Sequence, residues 1–235
     1  MDIRMVRGAC PHDCPDTCGM VMEVSGNKVL SIQGDPDHPI TRGWLCAKVR
    51  PYLDHVYHPD RLLHPLRQTG PKGSGQFRPI SWDEAIKEIA DRWKEIIEKH
   101  GPEAILPYSY SGTLGLVQMV VSSGRFWNRL GASQLQRSIC GAAAETAVEK
   151  TLGKRWSPPY HDVVHSKLVI LWGHNPASTG PHFMPWLREA QRKGCILVVV
   201  DPRKTLSAQG AHLHLAPHPG SDGVLAMGLA KILVD

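Results

Sequence analysis

No stretch of 18 consecutive apolar residues occurs in this 235-residue chain, so no membrane-spanning helix is expected. The opening Met1-Asp2-Ile3-Arg4-Met5-Val6-Arg7-Gly8 has neither the apolar heart of a secretory leader nor paired arginines. No export signal is legible, and a cytoplasmic location is expected. Aromatic residues make up only 6% of the chain, and its Lys and Arg are scattered without a dense run. The basic, aromatic surface of a nucleic-acid binder is therefore missing. The net charge of +5 and pI of about 8.9 suit an anionic small-molecule cofactor instead. No Gly-x-Gly-x-x-Gly follows a predicted strand, which leaves out an ordinary nicotinamide site. Internal repeats and low-complexity segments are absent. Six cysteines are too few for a disulfide scaffold at this length, and free thiols or clusters fit a reducing compartment.

What is present is a globular composition, 42% hydrophobic and 21% charged, long enough for one large domain or two ordinary ones. Residues 19–33 read as two short strands around a Ser25-Gly26-Asn27 turn, followed by a rigid turn at Asp35-Pro36-Asp37-His38-Pro39. From about residue 55, Pro59, Pro65, Pro71, Gly70, Gly73 and Gly75 mark an irregular connection. Ser81-Trp82-Asp83-Glu84 is a capping box ahead of Ala85, Ile86, Ile89, Ala90, Trp93, Ile96 and Ile97 at helical spacing, with Gly101 as the stop. Strands are expected at Ala104–Tyr108, Lys167–Trp172, Cys195–Val200 and His212–Leu215, and helices at roughly 115–130, at 181–193 and from Asp222 onward. Such alternation implies a parallel sheet with crossovers, whose ligands bind at the carboxyl ends of the strands.

Four cysteines carry the strongest chemical signal. Cys10, Cys14 and Cys18 follow one another at intervals of four, and Cys46 returns within Gly43-Trp44-Leu45-Cys46-Ala47-Lys48. Crowded thiolates repel unless a cation neutralises them, so the spacing points to a metal centre. Zinc remains open, although its structural sites usually use Cys-x-x-Cys knuckles. An iron–sulfur cluster, with three close ligands and one remote, also fits.

Polar residues punctuate the strand ends. Gly173-His174-Asn175-Pro176 follows the first buried run, and glycine there admits a phosphate close to the backbone while Asn both donates and accepts. Asp201-Pro202-Arg203 follows the second, with a carboxylate for a ribose hydroxyl and an arginine for phosphate or a guanine edge. Pro219-Gly220-Ser221-Asp222 precedes the last helix, whose first N–H groups can meet an anion. Turn glycines and helix caps are the plain alternatives, and Asp222 alone reads equally well as an N-cap.

The motif Ala9-Cys10-Pro11-His12-Asp13-Cys14-Pro15-Asp16-Thr17-Cys18-Gly19 closely resembles the start of molybdopterin-dependent oxidoreductases of the dimethyl sulfoxide reductase family. So do Gly34-Asp35-Pro36-Asp37-His38-Pro39 and Gly43-Trp44-Leu45-Cys46-Ala47-Lys48. The resemblance continues in order through Asp60-Arg61-Leu62-Leu63-His64-Pro65-Leu66, Ile80-Ser81-Trp82-Asp83-Glu84-Ala85 and the three strand-end motifs. It implies an α/β fold in two domains: a small cysteine-rich, β-containing 4Fe–4S domain over 1–58, and a Rossmann-like, mostly parallel and incomplete α/β domain over 59–235.

The resemblance further implies a 4Fe–4S cluster on Cys10, Cys14, Cys18 and Cys46, with Lys48 between cluster and pterin. It implies bis-molybdopterin guanine dinucleotide with Mo or W, held by Gly173, Asn175, Pro176, Asp201, Arg203, Gly220 and Asp222. Cys140, in a run of small residues, falls where the family places the metal's protein ligand, and a soft thiolate suits such a metal. Formate dehydrogenases of the family have histidine after that ligand, whereas here Gly141 follows, which speaks against formate. Cys195, at the start of a strand, reads as core.

The implied activity is two-electron redox or oxygen-atom transfer on a small substrate, with electrons relayed through the cluster to a partner protein. A non-catalytic iron–sulfur subunit docking to a separate catalytic chain is the alternative. A hydratase without net redox chemistry also belongs to this family. Full members are much longer, and this chain stops inside a helix at Leu233-Val234-Asp235. A fragment, inactive alone and with an exposed apolar sheet edge that lowers solubility, is the expectation.

Overall fold

The computed structural model describes residues 2–110, 112 and 115–235, apart from the side chains of Gln118 and Met119. Compactness divides the chain into two units. Met1–Cys10, Cys14–Pro51 and Trp156–Asp235 form the first, and Pro11–Asp13 with Tyr52–Arg155 form the second. The strands are β1 (Ile3–Ala9), β2 (Gly19–Ser25), β3 (Lys28–Gly34), β4 (Leu66–Gln68), β5 (Phe77–Pro79), β6 (Leu168–Trp172), β7 (Ile196–Val200) and β8 (Leu213–Leu215).

In the first unit, β1, β2 and β3 make an antiparallel meander, with Ile3 opposite Ser25, Ala9 opposite Gly19 and Met20 opposite Gly34. The expected β2–β3 hairpin is there. Its turn is tight because Gly26 takes a φ of 57°, a value a side chain disfavours. β1 was not anticipated, since its side chains are mostly exposed and show no buried face to read.

The aliphatic runs Leu-Val-Ile-Leu-Trp and Ile-Leu-Val-Val-Val form β6 and β7, which with β8 pair parallel in the order β6-β7-β8. Trp172 is level with Val200, and Val200 with Leu215, so the three carboxyl ends are flush. The helix Phe183–Arg192 covers one face through the fully buried Leu187 and Ala190. Leu171, Leu187, Leu197, Val199 and Ala208 form the core there. On the other face Leu168, Ile170, Ile196 and Leu213 are each about half exposed. The last helix, Asp222–Val234, buries no residue.

In the second unit, Ser81 caps the helix Trp82–His100, its hydroxyl accepting the Glu84 N–H at 3.1 Å. Only half of the capping box forms, because the Glu84 carboxylate turns to Arg67 and Arg78 of the β4–β5 ribbon. Gly101, with a φ of 82°, ends the helix. The strand expected at Ala104–Tyr108 is replaced by a 3-10 turn over Pro102–Ala104 and an unpaired extended segment. Pro102 and Pro107 withhold N–H donors from any ladder, and Ile105 O is taken by the Ser133 N–H at 3.0 Å. The helix expected near 115–130 is a π-helical turn, Val117–Val121, running into Ser122–Leu130. Trp93 packs on Trp127 at 5.5 Å between ring centroids.

Candidate functional site

The meander builds the cysteine knot. Cys10 follows β1 and Cys18 precedes β2, and the Cys10 N–H donates to Cys18 O at 2.9 Å across the mouth of the loop carrying Cys14. Thr17 in this loop takes a φ of 45°, a strained value for a β-branched residue. Cys46 is brought back where β3 ends. The Gly43 N–H donates to Asp35 O at 3.0 Å, and a Cβ on Gly34 would stand 2.3 Å from Gly43 O. Only glycine lets the returning loop close there. Arg7 fixes the turn through Asp35 and Asp37, at 2.7 Å each.

All six cysteines are free. The Cys18 thiol is pushed up to about 12, first by burial and then by the charges of Asp16, Cys10, Cys46 and Cys14. All three other knot thiols thus act on Cys18, and a thiolate there calls for a cationic group beside it. Burial likewise raises the Cys14 thiol, and Lys48 opposes that rise. Among the described residues no three His, Cys, Asp or Glu side chains lie close enough to share a single ion. Four thiols that act on one another at this site are the soft donor set an iron–sulfur cluster takes.

The knot is tied to the end of β6. Lys48 Nζ donates to Ser178 O at 3.0 Å, and Cys14 Sγ lies 3.6 Å from Thr179 O. Both carbonyls belong to the short helix Pro176–Thr179, which starts right after Asn175. Asn175 Oδ1 accepts the Ser207 hydroxyl at 2.7 Å, and that Ser207 oxygen accepts the Ala177 N–H at 3.1 Å. Gly173, with a φ of 57°, donates its N–H to Val200 O at 2.8 Å and stays exposed. After β7, Asp201 Oδ1 accepts the Arg203 N–H at 2.8 Å, leaving the Arg203 side chain exposed. Beyond β8, Gly220 has a φ of 90°. Asp222 opens the last helix one residue after its cap, Ser221, and its Oδ1 accepts the Trp172 indole N–H at 2.7 Å. The cap reading of Asp222 is thus replaced by a tie between two strand ends.

Cys140 lies in the second unit, exposed, two residues before the helix Ala142–Leu152. Arg137 braces the same loop by donating to Ser109 O at 3.2 Å and Ser109 Oγ at 3.0 Å. Cys195 is 2% exposed, and burial pushes its thiol up.

Sequence reasoning missed a buried polar group behind Cys18. Asp16 and His182 are 0% and 1% exposed. His182 Nδ1 stands 2.7 Å from Asp16 Oδ2, Tyr160 donates to Asp16 Oδ1 at 2.9 Å, and His182 Nε2 stands 2.9 Å from Trp44 O. Burial pushes the Asp16 carboxyl up, but hydrogen bonds from the His182 ring, Tyr160 and the His182 N–H outweigh it and hold the group below the usual carboxylate range. Asp16 reads in the sequence as a spacer between cysteines, and nothing local marks His182.

The family model described as Molybdopterin oxidoreductase matches residues 41–235, and that of the Molybdopterin oxidoreductase Fe4S4 domain matches residues 3–58. The chain belongs to the molybdopterin oxidoreductase family. Probable oxidoreductase YoaE of Bacillus subtilis is 40% identical over 97% of this chain. The Assimilatory nitrate reductase catalytic subunit of Bacillus subtilis is 34% identical over 85% of the chain and 28% of its own length. Among solved structures, Acetylene Hydratase from Pelobacter acetylenicus superposes with a TM-score of 0.63 at 27% identity, over 96% of this chain and 32% of the hydratase. The chain spans about a third of its curated relatives' length, 33% in YoaE. Membership of this family indicates a molybdopterin cofactor and a 4Fe–4S cluster. No described helix is long and apolar enough to cross a membrane.

Proposed function

We propose that this chain supplies the electron port and part of the cofactor cradle of an enzyme that moves two electrons, with or without an oxygen atom, to or from a small substrate. Cys10, Cys14, Cys18 and Cys46 hold the 4Fe–4S cluster in this reading. The observation that carries it is the double attachment of the knot to the strand-end loop, Lys48 to Ser178 O and Cys14 to Thr179 O. A cation fixed between the thiols and a ligand-binding strand end is suited to couple two redox groups.

The flush ends of β6, β7 and β8 support a Rossmann-like cradle for the guanine dinucleotide. In it the Gly173 backbone admits a phosphate, Asn175 and Pro176 shape the first loop, Asp201 takes a ribose hydroxyl, Arg203 a phosphate or guanine edge, and Gly220 with Asp222 lines the third end. Cys140 is the metal's protein ligand. The cofactor supplies the redox chemistry at its metal, and the chain's own residues bind it, orient it and set its surroundings. Within this proposal the sequence boundary at 58/59 separates cluster domain from cradle, the location is cytoplasmic, and a separate redox protein exchanges electrons through the cluster.

Relatives named for nitrate, dimethyl sulfoxide and perchlorate reduction favour a small oxo compound as substrate. The test is metal and pterin analysis of protein purified anaerobically, expected to give about four irons per chain together with pterin. Zinc without iron would overturn the reading. Iron without pterin, in protein supplied with the rest of its reading frame, would favour the non-catalytic electron-transfer subunit.

A further inference from the structure

The function above gives Asp16 and His182 no role, yet they are the most deeply buried charged or titratable pair beside the knot, at 0% and 1% exposure. Asp16 Oδ2 faces His182 Nδ1 at 2.7 Å and accepts the His182 backbone N–H at 3.2 Å. Nε2 faces the Trp44 carbonyl at 2.9 Å, an acceptor only, so this nitrogen bears a hydrogen. Tyr160 donates to the remaining carboxylate oxygen at 2.9 Å. No buried side-chain N or O among the described residues lacks a partner. Cys18 Sγ lies 3.7 Å from Nδ1 and 3.9 Å from Nε2. Those nitrogens already point elsewhere, and the sulfur is nearly equidistant from them, so it meets the ring rather than receiving a directed hydrogen bond. The Trp44 indole lies against the ring too, at 4.3 Å between centroids.

We propose that Asp16 and His182 form a positioning pair that sets the reduction potential of the cluster, with the imidazole against the Cys18 sulfur and the carboxylate bonded to its Nδ1. The proposal rests on the reading that the four cysteines carry a 4Fe–4S cluster. One-electron reduction places an extra negative charge on the cluster and its sulfurs. The Nε2–H, 3.9 Å from the Cys18 sulfur, sets a positive bond-dipole end beside that charge and favours it, and burial removes the screening that water and salt would give. Without the imidazole, the carboxylate faces the sulfur unopposed and reduction is disfavoured.

The test is a dithionite titration of the anaerobically purified protein, each cluster taking one electron from dithionite and the reduced fraction being read by EPR. His182→Gln is expected to lower the ratio of reduced to oxidised cluster at a fixed potential on the order of tenfold, about 59 mV for a one-electron couple. Asp16→Asn combined with His182→Gln removes the opposing charge as well and is expected to recover most of that shift. Tyr160→Phe strips one hydrogen bond from the carboxylate and is expected to shift the ratio the same way by a smaller factor; it decides the matter where His182→Gln does not accumulate. An unmoved ratio, or a double variant shifted further than the single one, overturns the proposal. So does a fall in iron content without a change in the potential of the remaining clusters, which is what a merely structural pair would give. A wild-type protein without an iron–sulfur cluster overturns the reading of the four cysteines and this pair with it, whereas a wild-type cluster with an unmoved potential in the variants overturns the pair alone.

Discussion

Replacing Gly34 by alanine tests how the fourth cysteine is brought home. The added Cβ would sit 2.3 Å from Gly43 O, 2.4 Å from Gly43 C and 3.0 Å from Gly43 Cα. Ordinary contact begins at 3.4 Å, so the Gly43 carbonyl must retreat by about 1.1 Å. Every clashing atom is backbone, and no side chain can swing away. Overpacking of this kind costs about 1–3 kcal/mol, and the rigid neighbours place Gly34→Ala at the upper end. For a chain of this size, about 3 kcal/mol lowers Tm by roughly 6–12 °C. The displaced loop carries Trp44 and Cys46, so iron per chain should fall in parallel. Gly228→Ala serves as the control, because nothing lies within 4 Å of its added Cβ in the last helix, and a gain of about 0.5–1 kcal/mol is expected. Thermal melts by circular dichroism with iron analysis decide the question. A Gly34→Ala protein melting within about 2 °C of wild type with its iron intact would refute the close-approach argument.

Leu187→Ala should cost about 2–5 kcal/mol in urea unfolding, because Leu187 is 0% exposed between the helix Phe183–Arg192 and the parallel sheet. Burial raises the Cys195 thiol above its ordinary 9.0, so the folded chain keeps that proton to higher pH than the unfolded one. The stabilisation is complete below about pH 9 and is lost as pH climbs through the folded value. Urea midpoints between pH 8 and 10.5 should therefore fall more in wild type than in Cys195→Ala. Cys140 is exposed and Cys195 buried, so iodoacetamide should label Cys140 readily in folded, cofactor-free protein and Cys195 only after unfolding, as peptide mass spectrometry would reveal.

Patterns of short range were the legible ones. The Ser25-Gly26-Asn27 turn announced β2 and β3, and continuous aliphatic runs announced β6 and β7 within a residue or two. Ser81 and Gly101 bracketed their helix because both act on adjacent backbone groups. The segment 104–108 misled because Ile105 and Leu106 offer strand-like side chains while the flanking prolines withhold donors, a backbone fact that periodicity ignores. At the site, the cysteines stood out by spacing and Lys48 by the family resemblance. The role of Asp16 could not, since its partner His182 lies 166 positions away and only the fold makes them neighbours. Asn175 read as a free polar group, but its carbonyl is engaged by Ser207, whose place 32 residues on is set by the crossover.

The discontinuity of the first unit has a bearing on biosynthesis. Residues 14–51 belong with 156–235, while 52–155 fold elsewhere. At about 5–20 residues per second, the ribosome adds the intervening hundred-odd residues over roughly 5–20 s. Throughout that interval Cys14 has no Thr179 carbonyl beside it, Lys48 no Ser178 and Asp16 no His182. The nascent thiols therefore outlive their own synthesis without the scaffold that gathers them. The knot meets its strand-end loop only after Ser178, Thr179 and His182 have been made, and oxidation of the waiting thiols competes with that meeting.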